Sequence, residues 1–157
     1  MKKIVFVLAI MAAAFVSKGF AQEAVKDISL PEMLPGYYAI KDALVSSNAT
    51  LASDRASEFV GVLNKTTSKI TASAEKASIL TELKKIASTK DLEKQRSSFS
   101  KLSTGMVAVV KSTATTPAEP VYQFFCPMKK TVWLSNKKEV KNPYYGSAML
   151  TCGSIVD

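Results

Sequence analysis

Two short motifs near the C-terminal end of the sequence carry the residues best suited to chemistry: Cys126-Pro127-Met128, and Met149-Leu150-Thr151-Cys152. They hold the only two cysteines of the chain, each has a methionine two or three positions away, and no histidine competes as a ligand. Two thiolates with two thioethers form a soft donor set, which among biological metals favours copper(I). A disulfide is the other reading. A Cys126–Cys152 bond would close a loop of about 27 residues, worth roughly 3 to 4 kcal/mol in the chain-entropy model, and Met128 and Met149 would then be ordinary packing residues. Both readings use the same sulfur atoms, and at this level both stand.

The local sequence suggests how each sulfur pair is presented. Pro127 biases Cys126 toward an extended conformation, which would hold Cys126 and Met128 on one side of the backbone. Three-residue spacing puts Met149 and Cys152 on one face if 148–152 forms a helical turn. Asn142-Pro143-Tyr144-Tyr145-Gly146 lets the chain turn back between the two motifs,. Gly153 permits either a close approach of backbone to whatever is bound or a positive φ.

Other site chemistries fit poorly. Zinc usually collects four ligands from thiolate, imidazole and carboxylate, and only two thiolates are present. Blue-copper sites need two histidines, and iron–sulfur clusters need more cysteines. The cysteines are too far apart in sequence for a Cys-x-x-Cys redox motif. Without histidine the usual triads and histidine bases are missing, and no enzymatic activity is expected. Lys129 and Lys130 beside the first motif can be read as a dock for an acidic partner or simply as solvated charge.

Positioning these residues falls to the preceding chain, which reads as mainly α: an antiparallel four-helix up-and-down bundle with a small, irregular C-terminal module containing short β segments. After a polar segment from Gln22 to Ser29, Pro31 and Pro35 bracket the approach to a first helix with Leu34, Tyr37, Tyr38, Lys41, Leu44 and Val45 on its buried face, ending at Ser46 to Thr50,. Ser53 or Asp54 is expected to cap a second helix bearing Ala56, Phe59, Val60 and Leu63. Thr66 to Ser73 reads as a loop or a frayed end. A third helix spans 74–87, with Ile79, Leu80, Leu83 and Ile86 on one side and Glu82, Lys84 and Lys85 largely on the other. The fourth runs from Asp91 to about Lys111 over a stripe that includes Gln95, Phe99, Leu102 and Met106,. Met106 at this spacing is a core residue. Residues 112–120 then read as a linker, and 121–157 as the Cys/Met module packed on the bundle of 22–111. Val121 to Phe125 and Thr131 to Leu134 are strand-like. Tyr122, Phe124, Phe125, Trp133, Tyr144 and Tyr145 read as the module's core, with a ligand-stacking patch as the alternative. Such a module is too small to fold alone and needs a staple, a metal or docking on the helices.

The N-terminal end reads as a cleavable signal: basic Lys2-Lys3, an apolar run of about 13 residues where a bilayer span needs roughly 20, and small residues at Gly19 and Ala21. Cleavage near Ala21 would leave residues 22–157, exported and without a membrane span. The net charge is +8. Loss of Lys2, Lys3 and Lys18 with the signal would reduce it to +5. The remaining lysines are spread along helices rather than gathered in a stripe, so no nucleic-acid partner is expected.

Val121-Tyr122, Phe125-Cys126-Pro127-Met128, Trp133-Leu134-Ser135, Asn142-Pro143-Tyr144-Tyr145-Gly146, Met149-Leu150 and Cys152-Gly153, together with Asp91-Leu92-Glu93-Lys94-Gln95-Arg96, Phe99 and Leu102-Ser103, resemble a secreted family, domain-of-unknown-function family 3347. Members of that family occur alone in the Gram-negative envelope and as an added domain on periplasmic adaptor subunits of heavy-metal efflux pumps. The resemblance implies a periplasmic or secreted protein of copper or related metal handling, with an envelope metal-transport or efflux protein as partner and Cys126, Met128, Met149 and Cys152 as ligands.

Overall fold

The computed structural model describes residues 29–65, 73–113 and 119–156. The expected signal at 1–21, the Thr/Ser-rich stretch at 66–72 and most of the expected linker (114–118) lie outside the described residues. Four helices are followed by a small three-stranded sheet: α1 (Leu30–Val45), α2 (Ala49–Asn64), α3 (Ser73–Ala87), α4 (Leu92–Ser112), β1 (Tyr122–Cys126), β2 (Thr131–Ser135), a 3-10 turn (Gly146–Met149) and β3 (Ser154–Val156).

Helix α1 starts earlier than its apolar stripe suggests. Ser29 caps it, with the Glu32 carboxylate accepting the Ser29 N–H at 2.8 Å and the Ser29 hydroxyl at 2.9 Å,. Pro31 therefore sits in the first turn, where no N–H is required, and Pro35 lies inside the helix close to its start,. Helix α2 also begins sooner. Asn48 is its cap, its side chain accepting the Leu51 N–H at 2.9 Å, while Ser53 is buried and donates to the Ala87 carbonyl at 2.6 Å. Helix α4 is capped by Asp91, which accepts the Glu93 and Lys94 N–H groups.

Successive helices pack against one another, and α1 also touches α4. Their inward stripes place Tyr37, Ile40, Leu44, Ala52, Ala56, Phe59, Ile79, Leu83, Phe99, Leu102 and Met106 in one core. Glu82, expected largely on the outer side of α3, is buried there and pairs with Lys85 at 2.7 Å. Gln95, also buried, ties α4 to its neighbours by donating to the Ala49 and Thr89 carbonyls at 2.8 and 2.7 Å.

In the sheet, β1 is central and antiparallel to both β2 and β3. Phe124 pairs with Trp133 and Cys126 with Thr131, so the buried residues of β1 lie alongside the Trp133 face of β2,. This face packs on α4 through β2, with a 2.6 Å hydrogen bond between the Ser100 and Thr131 hydroxyls. Burial is continuous from helices to sheet. Tyr37 stacks on Phe99 (5.1 Å between centroids), Phe99 meets Tyr144 (5.9 Å), Tyr144 meets Trp133 edge-on (6.1 Å), and Trp133 stacks on Phe124 (5.0 Å). The Tyr37 hydroxyl bonds Ser103 at 2.7 Å and accepts the Leu134 N–H at 3.1 Å, so a helix side chain satisfies a strand backbone,.

Candidate functional site

The two sulfur motifs meet at one end of β1. Cys126 is the last residue of β1 and is fully buried. Pro127 to Lys130 then form a tight turn, closed by Lys130 at φ +51°, before β2 begins at Thr131. Cys126 is extended, as Pro127 suggests. Met128 is not: it lies in the turn, and its side chain is 60 % exposed. On the other edge of β1 the pairing starts at Phe125 with Ser154, which brings Cys152 and Gly153 level with Cys126.

The second motif forms the expected turn. The 3-10 segment continues through Leu150 in helical geometry, and the Cys152 N–H donates to the Met149 carbonyl at 3.1 Å, so Met149 and Cys152 belong to one turn. Met149 is 40 % exposed. Gly153 follows at φ +148°, a conformation that favours glycine,. A Cβ here would lie 2.4 Å from the Trp133 ring. The backbone at Gly153 thus lies close to the tryptophan in the aromatic series, rather than leaving room for a bound group at that position.

Both cysteines are free thiols. The Cys152 thiol lies close enough to Cys126 and to the Met128 backbone for both to act on its titration. Burial raises its pKa above the ordinary thiol value, and Cys126 raises it further by charge and by hydrogen bonding, while the Met128 N–H acts in the opposite direction,. The structure therefore brings the two thiols near each other and puts the backbones of both methionines close to Cys152, with the methionine side chains exposed.

Asn142, which the sequence pattern marks only as a turn residue, holds this arrangement together. It is fully buried. Its Nδ2 donates to Cys126 Sγ at 3.2 Å and to the Cys152 carbonyl at 2.7 Å, and its Oδ1 accepts the Tyr144 N–H at 2.8 Å. The last contact fixes which end of the amide faces the sulfur. Its backbone N–H donates to the Leu150 carbonyl at 2.8 Å and its carbonyl accepts the Gly146 N–H at 3.2 Å. One asparagine thus closes the 142–150 loop and joins it to both cysteines.

Arg96 of α4 holds the same loop from outside. Its Nε donates to the Pro143 carbonyl at 3.1 Å, and its Nη2 to the Leu44 carbonyl at 3.2 Å and to Ser47 Oγ at 2.9 Å. Gly146, at φ +56°, passes so close that a Cβ would sit 2.6 Å from Ser47 Oγ and 2.8 Å from Arg96 Nη2. Tyr144 completes the attachment by donating its hydroxyl to the Val132 carbonyl. Of the six module aromatics, Phe124, Trp133 and Tyr144 are buried as core, and Tyr122, Phe125 and Tyr145 are partly buried.

Among the described residues no group of three or more His, Cys, Asp and Glu side chains gathers as a metal site, so the candidate rests on two thiols and the neighbouring thioethers. Also among the described residues, no helix is long and apolar enough to cross a membrane.

Fold and site define a mainly helical protein with a small sheet that brings two free cysteines together. The chain belongs to the family described as Protein of unknown function (DUF3347), whose model matches residues 33–117. That match runs from α1 through α4 and stops before β1, so the sulfur residues lie beyond it. No curated protein sequence and no solved structure matches the chain.

Proposed function

We propose that this protein binds a soft metal ion, copper(I), as cargo through Cys126 and Cys152, with Met128 and Met149 as thioether donors at the exposed side. It serves as a chaperone, buffer or delivery partner in envelope metal homeostasis and turns over no substrate. In this reading the N-terminal signal directs export to the periplasm, the helices form an antiparallel up-and-down bundle, and the physiological partner is an envelope metal-transport or efflux protein.

The observation that carries the reading is the proximity of two unbonded thiols, with the Asn142 amide joining them by donating to Cys126 Sγ at 3.2 Å and to the Cys152 carbonyl at 2.7 Å. Two neighbouring thiolates repel each other, which a bound cation relieves by displacing the protons. The Asn142 N–H directed at Cys126 Sγ favours the thiolate that such a cation needs at that position,. The donor set is soft and free of imidazole, which selects copper(I) over zinc.

The test is a competition titration of the reduced protein against a chromophoric copper(I) chelator. The wild type is expected to withdraw one copper(I) per chain, and the Cys126→Ser, Cys152→Ser double variant to lose most of that affinity. Equal affinity in the two proteins would remove the metal reading. A disulfide-stapled interaction domain would then be the better account, with two thiols titrating only after reduction.

A further inference from the structure

The two cysteines differ in access. Cys126 is fully buried beneath the sheet, whereas Cys152 lies partly exposed in a turn that also carries exposed Met149 and Leu150. The adjoining Pro127–Lys130 turn is exposed, and Lys129 and Lys130 make no ion pair with any described residue. Neither turn contains an acidic residue. The way to the sulfur pair is thus open at one thiol and bordered by two free cations.

From this geometry we infer that Cys152 is the entry point for thiol–disulfide exchange with an anionic, low-molecular-weight disulfide, and that Cys126 is the resolving thiol which completes an intramolecular disulfide. In the first step the Cys152 thiolate attacks one sulfur of the external disulfide, whose S–S bond breaks. One thiol leaves carrying the proton that Cys152 lost. In the second step the Cys126 thiolate attacks Cys152 Sγ in the mixed disulfide, and the second external thiol leaves with the proton from Cys126. Two protein thiols are oxidised and one external disulfide is reduced to two thiols, so atoms and electrons balance.

The sequence of attack follows from position. An external molecule reaches Cys152 and cannot reach Cys126 without opening the sheet. Once Cys152 carries the adduct, Cys126 is its nearest thiol, with the Asn142 amide donating to its sulfur at 3.2 Å. The consequence for metal rests on the proposed function: the oxidised pair has no thiolate left for copper(I). The exchange itself does not depend on that reading.

Oxidised glutathione added to the reduced full-length protein is the probe, with intact-mass and peptide-mass readout after acid quench. Wild type is expected to close to the intramolecular disulfide, with any transient adduct on Cys152 alone. Cys126→Ser should accumulate one stable glutathione adduct at Cys152, and Cys152→Ser should react at least about tenfold more slowly until denatured. A transient wild-type adduct on Cys126 would overturn the inference even if the buried-site variant folds poorly. So would a Cys152→Ser protein that reacts as fast as Cys126→Ser. Silver(I), a redox-inert soft ion, should block exchange in wild type. Exchange at Cys152 that proceeds unchanged with silver(I) present would support the entry order and overturn the metal reading separately.

Discussion

The helical layer and the C-terminal module solve the same folding problem by different means. Each helix carries its own apolar stripe, and the caps at Ser29, Asn48 and Asp91 close helix ends with residues two or three positions away,. The module has little that is local. Its strands are three to five residues long, its loop is closed by one buried asparagine, and both are attached to the helices through Tyr37, Phe99, Arg96 and Ser100. The difference shows how a short segment with few local contacts can still bring two cysteines near each other. Long-range contacts with a rigid helical layer replace the missing core.

The strongest way to break this comparison is to remove the residue on which the module most depends. Trp133→Ala deletes a fully buried ring that stacks on Phe124, meets Tyr144 and faces Gly153. It should cost about 3–5 kcal/mol in a denaturant melt; a cost near that of a surface substitution would mean the module is not held as described. Asn142→Ala comes next. It leaves the Cys152 carbonyl and the Tyr144 N–H without their partner, at about 2–3 kcal/mol, and should weaken copper(I) binding about tenfold as a supporting contact does. Unchanged copper(I) affinity in a folded Asn142→Ala protein would count against its placement at the site.

Alkaline pH tests the junction between the two regions. Burial, reinforced by Tyr144, holds the Tyr37 hydroxyl well above its ordinary value; burial also raises Tyr144, and raises Tyr38 to about 12. The folded state therefore keeps protons that the unfolded chain releases above about pH 10. Stability is present in full below that pH and falls as pH rises beyond it, by at most about 1.4 kcal/mol per pH unit for each of the buried Tyr37 and Tyr144 and by less for the more exposed Tyr38. Thermal melts across this range should show the decline, and Tyr37→Phe should flatten it; a flat profile in the wild type would place these hydroxyls in water. The smallest effect is expected in the helices. Asp91→Ala removes one cap at about 1 kcal/mol, and the same titrations should find copper(I) affinity unaltered. A matching loss of affinity would erase the distinction between the two regions.

What could be read from sequence follows the same division. Helices α3 and α4 were legible because stripe and cap are local, as in Ile79, Leu83, Phe99 and Met106 with Asp91 at the start. The beginnings of α1 and α2 were not. Pro31 and Pro35 look like boundaries, although Pro31 suits a first helical turn and Pro35 is accommodated inside the helix,, and the polar run Ser46 to Thr50 reads as the end of one helix and so conceals the Asn48 cap of the next. In the module the β-branched and aromatic runs marked β1 and β2, but β3 depends on pairing with β1 across the whole loop, which no local pattern encodes. The four sulfur residues were visible by type and spacing. Their unequal exposure, the turn at Met128 and the role of Asn142 were not, because each depends on contacts made by distant parts of the chain.

Copper K-edge X-ray absorption of the copper(I)-loaded, reduced protein addresses the sulfur site most directly. The account predicts a first shell made only of sulfur, which loses scatterers when Met128 or Met149 is replaced and disappears when both cysteines are. A shell of nitrogen or oxygen, or loading that persists without Cys126 and Cys152, would contradict it.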